Sequence, residues 1–185
     1  MNHLKTKLSI LVILLLLGVA VVTIIQRDEP NYYPTIEEAM MNSGIDYEEI
    51  YNITEHRGYS IIFYGEEDIL SVGIAMKKGS KYRWNYGFGS KQFNEPGQIV
   101  TRAFTNLPTK MFGDNDDSVS LTFGVINDEE IEALKIQYKD QAEKDATIIP
   151  TSKGPIWFCY SDTPVNYDPD VVRIYKSGET VNGWF

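Results

Sequence analysis

Several groups of side chains in this 185-residue chain are of types that carry chemistry. Asp114, Asp116 and Asp117, with Asn115 among them, offer the hard oxygen donors a calcium ion takes. Read as an EF-hand loop opening at Asp114, the spacing fails: Val119 stands where a glycine is needed and Val125 where a bidentate glutamate is needed. Asp162, Asp168 and Asp170 form a second acidic stretch with equally loose spacing. Both are read as solvated turns, and no metal ligand is assigned. Cys159 lies in the apolar run Ile156-Trp-Phe-Cys-Tyr160, where a thiol is a buried apolar group rather than a nucleophile beside a base. His56 precedes Arg57-Gly58 in an expected turn, with no proton partner indicated. The alternating Tyr82, Trp84, Tyr86 and Phe88 are the candidate ligand-binding residues. Such a row can stack on sugar rings or bases, or anchor a protein; it can equally be the face on which a helix lies. The nucleophile elbow, the His-Glu-x-x-His zinc motif, Cys-x-x-Cys and the phosphate loop do not occur, and Gly87-Phe-Gly89 has Gln92 where a dinucleotide fingerprint has glycine. With 26 acidic residues a carboxylate pair for glycoside hydrolysis stays open, but nothing singles one out. No catalytic residue and no cofactor is assigned.

The elements that position these groups begin with an address. Leu8 to Ile25 are 18 residues without charge, amide or proline. As a helix they span about 27 Å, close to the roughly 30 Å of a bilayer's hydrocarbon. Lys5 and Lys7 precede the run and Arg27-Asp28-Glu29 follows it, so the positive-inside rule keeps the N-terminus in the cytoplasm and sends residues 26–185 across. Residues 1–25 are thus a transmembrane anchor or, if Gly18 and Ala20 serve a signal peptidase, a cleaved signal that leaves a secreted protein. Cleavage there would expose Val21, Val22, Ile24 and Ile25, which favours the anchor. Without Lys5 and Lys7 the exported part has 15 basic against 26 acidic residues, a net charge of −11, which argues against nucleic acid as a partner. A single cysteine makes no internal disulfide, so stability rests on a core built from 12 tyrosines, 8 phenylalanines and 3 tryptophans among the other apolar residues.

Residues 26–34, with two prolines, read as a juxtamembrane spacer. Thr35 and Glu38 make a capping box, Ile36, Ala39 and Met40 share a face, and Gly44 supplies a left-handed stop, so a short helix follows. Four strands near 47–54, 59–64, 69–76 and 80–88 make an antiparallel meander, completing a unit over 35–112. A three-residue loop ending at Gly79 pairs Met76 with Ser80, Ile74 with Tyr82, Val72 with Trp84 and Leu70 with Tyr86, giving one aromatic-aliphatic face. Ile99 to Thr105 is an expected edge strand, and the polar turn at 113–117 marks a domain boundary. From Ser118, Val119, Leu121, Phe123 and Val125 alternate with Ser118, Ser120 and Thr122. Further strands near 131–138, 146–149, 155–160, 170–175 and 180–185, the last two turning at Ser177-Gly178, suggest a small β-sandwich over 113–185. The fold class is mainly β (α+β): a transmembrane helix, a short helix on a meander, then a sandwich-like part.

The run Leu121-Thr-Phe-Gly-Val-Ile-Asn-Asp-Glu-Glu-Ile131, then Ala146-Thr-Ile-Ile, Lys153-Gly-Pro-Ile-Trp-Phe158 and Tyr175-Lys-Ser-Gly178 resemble an uncharacterised family of small exported, membrane-anchored proteins of Gram-positive, Bacillus-like bacteria. Lys81-Tyr-Arg-Trp-Asn-Tyr-Gly87 resembles that family's Trp-containing strand. The resemblance implies an extracytoplasmic β domain behind an apolar segment; it assigns no functional residue. A non-catalytic binding or interaction module at the cell surface is therefore expected. It would meet the membrane through residues 8–25 and an envelope protein or cell-wall component through its domain. An accessory subunit of a membrane complex and a cell-wall hydrolase are the alternatives.

Overall fold

The computed structural model describes residues 31–110 and 118–183. The apolar run at 8–25 and the Asp114–Asp117 turn lie outside the described residues, and among those described no helix is long and apolar enough to cross a membrane. The described chain is mainly β, with antiparallel sheets and one short helix. Helix α1 spans Ile36–Asn42 and begins where the capping box places it: the Glu38 N–H donates to Thr35 Oγ1 at 3.1 Å. Ile36, Ala39 and Met40 are buried, and Gly44 takes a φ of +72° just past the end.

Twelve strands follow. β1 (Glu49–His56), β2 (Tyr59–Glu66), β3 (Ile69–Lys78) and β4 (Lys81–Lys91) form the first sheet as a meander. Arg57 and Gly58 both have positive φ, the twist a two-residue hairpin turn requires. β5 (Ala103–Pro108), β6 (Ser118–Val125), β10 (Ile156–Ser161) and β9 (Thr147–Ile149) form the second sheet in that order. β12 (Thr180–Asn182), β11 (Asp170–Tyr175), β7 (Ile131–Gln137) and β8 (Lys144–Asp145) form the third. From β5 onward, successive strand pairs alternate between the second and third sheets. β5 and β6 flank the expected boundary at 112–113 and pair with each other over six residues, from Ala103↔Phe123 to Pro108↔Ser118; Tyr33–Phe185 is one compact unit.

The layers are helix, first sheet, second sheet, third sheet. Ile61, Phe63, Val72 and Ile74 of the first sheet meet Leu121, Phe123, Ile156 and Phe158 of the second, with Phe63 stacked on Phe158 at 4.6 Å between ring centres. The other face of the second sheet, with Trp157 and Cys159, meets Leu134, Ile136 and Val171 of the third. β6 is therefore buried on both sides. Ser120 and Thr122, which alternate with the apolar set, are 4% and 0% exposed. Their small hydroxyl side chains pack under the third sheet, where the Tyr138 hydroxyl donates to Cys159 O at 2.7 Å and bonds Thr122 Oγ1 at 3.0 Å.

The expected register of β3 on β4 is corrected. The turn is Gly79-Ser80, two residues long, and it pairs Lys78 with Lys81, Met76 with Arg83 and Ala75 with Trp84. A bulge at Asn85 then sets Ile74 opposite Tyr86 and Val72 opposite Phe88. Two contacts explain the shift. A Cβ on Gly73 would stand 2.0 Å from Trp84 Cη2, so Trp84 occupies the space that Gly73 leaves empty on the helix side. The extra residue, Asn85, donates its side-chain amide to Pro108 O at 2.5 Å and joins β4 to β5.

Candidate binding cleft

A polar concavity is built where the first and second sheets hand the chain to each other. β4 ends at Lys91, and the Gln92 and Phe93 N–H groups both donate to Asp68 O at 3.0 Å. Phe93 then drops into the core against Tyr51, ring edge to face at 5.8 Å. The chain returns at Ile99–Arg102 and is fastened to β6. Thr101 N–H donates to Val125 O at 2.9 Å, Val125 N–H donates to Thr101 Oγ1 at 2.9 Å, and Trp157 Nε1 donates to Thr101 O at 3.1 Å. Gly124 makes this crossing possible, because a Cβ there would lie 1.9 Å from Thr101 O. On the far side, Asn106 holds the segment after β10: its amide donates to Val165 O and its carbonyl accepts from Val165 N, each at 2.8 Å. That segment presents Asp168, which receives Arg102 Nη2 at 2.8 Å.

These connections enclose a cleft of about 340 Å³ lined by Ser90, Lys91, Gln92, Glu95, Gln98, Thr101, Arg102 and Asp168. Its charges are matched: Lys91 faces Glu95 at 3.3 Å and Arg102 faces Asp168. The hydrogen bond from Arg102, with its charge, holds the Asp168 carboxyl below the usual carboxylate range against a smaller opposing effect of burial. Gln92 is 2% exposed and donates Nε2 to Ser90 Oγ and Arg102 O, both at 3.1 Å, while its Oε1 has no partner. A buried amide oxygen without a donor is costly in a folded protein. Asp168 also lines a neighbouring cleft of about 370 Å³ with Gln137, Tyr138, Lys139, Asp140, Tyr167 and Asp170. The two clefts share Asp168.

The residues singled out from sequence are placed as follows. Tyr82 and Trp84 pack on the helix side with Ile36, Ala39 and Met40; Trp84 is 8% exposed and meets Tyr64 edge to face at 5.7 Å. Phe88 lies on the opposite face, in the core between the first and second sheets, against Phe123. Tyr86 is 41% exposed. The Asn85 bulge thus divides the four over two faces, and they form no single platform. Asp168 and Asp170 both line the second cleft, whereas Asp162 pairs with Lys144 at 2.8 Å. Among the described residues no cluster of three or more His, Cys, Asp or Glu is disposed to hold a metal ion. Cys159 is buried, and that burial pushes its thiol up to about 11. His56 stacks on Tyr160 at 3.8 Å between ring centres; burial, then the Arg57 and Lys144 charges, pull its pKa down. Sequence reasoning assigned no role to Gln92, Gln98 and Arg102, which sit in the connection between β4 and β5. No family model, curated protein or solved structure matches the chain.

Proposed function

We propose that this protein is a membrane-anchored extracytoplasmic module that binds an extended, uncharged peptide segment of an envelope partner in the Gln92–Arg102–Asp168 cleft, without catalysis. The observation that carries the reading is the buried Gln92 Oε1, left without a donor in the wall of a cleft whose charges are already paired. Such a wall offers hydrogen bonds and little net field, which suits a backbone amide better than an ion. Among the described residues no aromatic ring lines this first cleft, which offers a sugar no stacking surface there. The anchor at residues 8–25 supports the address, and the strand-and-turn resemblance agrees with it.

A photo-reactive amino acid in place of Gln98, in the cleft, is compared in intact cells with one in place of Glu132, exposed on β7. A discrete adduct from position 98 alone, lost when Gln92→Leu is added, supports the reading. Equal adducts from both positions, or an adduct indifferent to Gln92→Leu, refute it. The hydrolase alternative has one observation in its favour, the gathering of Asp140, Asp168 and Asp170 at the second cleft. A general acid needs a raised pKa, and the Arg102 hydrogen bond moves Asp168 the other way.

A further inference from the structure

The first sheet is electrically polarised along its strands. The turns Arg57-Gly58 and Gly79-Ser80 lie at one end, side by side, because Tyr59 pairs with Met76. Arg57, Lys77, Lys78 and Lys81 cluster there, with Arg83 two residues further along β4. The opposite end carries Glu48, Glu49, Glu66, Glu67 and Asp68, answered by Lys91 and Lys153; Lys153 reaches Glu48 at 2.7 Å. β3 has ten residues, so the ends stand roughly 30 Å apart, several screening lengths at physiological salt. The chain enters the domain at the basic end. Tyr33 makes a two-bond bridge with Tyr82, N–H to O at 2.7 Å each way, and Tyr82 is two residues from Ser80 in the turn. Lys77 Nζ lies 5.6 Å from the Tyr82 ring centre. Seven residues, 26–32, separate Ile25 from Tyr33. Fully extended they reach about 25–30 Å, less than the length of the sheet added to a headgroup layer. Among the described residues, the acidic groups near this end are Glu37 and Glu38 in the first turn of α1, Glu55 bonded to Ser60 Oγ, and Asp162 paired to Lys144; Asp28 and Glu29 belong to the segment that joins it to the anchor.

We infer that this basic end of the first sheet docks on the anionic lipid headgroups around the protein's own anchor. Docking points the acidic end away from the membrane. The inference rests on the anchor reading and is independent of the peptide cleft. The net negative charge of the exported part assists the orientation, since an anionic surface repels the domain as a whole while the hairpin tips are drawn to it.

The test uses the full chain reconstituted in vesicles of phosphatidylglycerol mixed with phosphatidylcholine, and in phosphatidylcholine alone. A donor dye is placed on Ser80→Cys or on Glu66→Cys, with an acceptor on the lipid headgroups; buried Cys159 is not labelled in the folded protein. In anionic vesicles energy transfer from position 80 exceeds that from position 66 severalfold. The difference shrinks to its phosphatidylcholine level in about 0.5 M salt, or in the Lys77→Gln/Lys78→Gln/Lys81→Gln variant. Transfer from position 80 that is unchanged by lipid charge, salt and the triple variant overturns the docking while leaving the anchor. A chain washed off the vesicles at alkaline pH overturns the anchor and the docking with it.

Discussion

Gly124→Ala is the substitution in which fold and cleft are most tightly joined. The added Cβ would lie 1.9 Å from Thr101 O, 2.6 Å from Thr101 C and 2.9 Å from Trp157 Nε1. Ordinary contacts between carbon and its neighbours begin at roughly 3.5 Å, so the two backbones must part by about 1.5 Å. The neighbour is main chain, and no rotamer change relieves it. Parting them breaks the Trp157 Nε1–Thr101 O bond and loosens the Thr101–Val125 pair, all of it buried. With one or two buried groups left unsatisfied at about 1–3 kcal/mol each, the expected loss is about 3–5 kcal/mol. Gly73→Ala is the comparison, because the three atoms nearest its Cβ all belong to the Trp84 ring, a side chain rather than main chain. Overpacking of that kind costs about 1–3 kcal/mol. At about 2–4 °C per kcal/mol for a domain of this size, the melting points fall by roughly 6–20 °C and 2–12 °C. Urea and thermal unfolding of the purified chain, followed by circular dichroism, measure both. A Gly124→Ala loss below about 1 kcal/mol refutes the reasoning, since it means the crossing at Thr101 is loose.

Tyr138→Phe keeps the ring and removes the hydroxyl that bonds Cys159 O and Thr122 Oγ1, so urea unfolding should show a loss of about 1–3 kcal/mol, and an unchanged midpoint would contradict the buried network. His56 has a folded pKa below the ordinary value of 6.5, so the unfolded chain takes up its proton first. Stability is full above that value, falls as pH drops from about 6.5 toward the folded pKa, and is level below it. His56→Gln removes this part of the slope, and an NMR titration midpoint above 6.5 for His56 would reverse the sign. The Cys159 thiol, pushed up to about 11 and buried, stays unmodified by Ellman's reagent at about pH 8 until urea is added; immediate labelling would contradict its burial.

The features legible in the sequence are those settled within a few residues. Thr35 and Glu38 announce the start of α1, Arg57-Gly58 and Ser177-Gly178 are turns, and β6, β7, β9, β10 and β11 fall within a residue or two of where alternation puts them. What was missed depends on partners far along the chain. The β3–β4 register follows from the space above Gly73 and from the reach of Asn85 to Pro108, neither of which a hairpin argument contains. The alternation of β6 separates Ser120 and Thr122 from the apolar set but does not say what covers them; Tyr138, on the third sheet's side, makes that face an interior. The cleft was illegible for the same reason. Gln92 and Arg102 stand at the two ends of one connection and Asp168 comes from another, and Asn106 holding Val165 is what brings Asp168 into place.

The second sheet explains why a chain with one cysteine and no disulfide holds three sheets together. It contributes Leu121, Phe123, Ile156 and Phe158 to one core and Trp157 and Cys159 to the other, so β6 and β10 are shared by both interfaces. Neither flanking sheet can separate without exposing a face of these two strands, and apolar burial of this kind is what keeps the layers joined. The cleft hangs from the same pair: Thr101 is fastened to Val125 and Trp157, and Arg102 follows it directly. A change in β6 or β10 therefore reaches the cleft. A change to the Arg102–Asp168 pair, whose aspartate side chain is 51% exposed, has little leverage on the core, because an ion pair so open to water contributes at most about 1 kcal/mol. The Arg102–Asp168 pair can therefore change while the sheets behind it stay fixed.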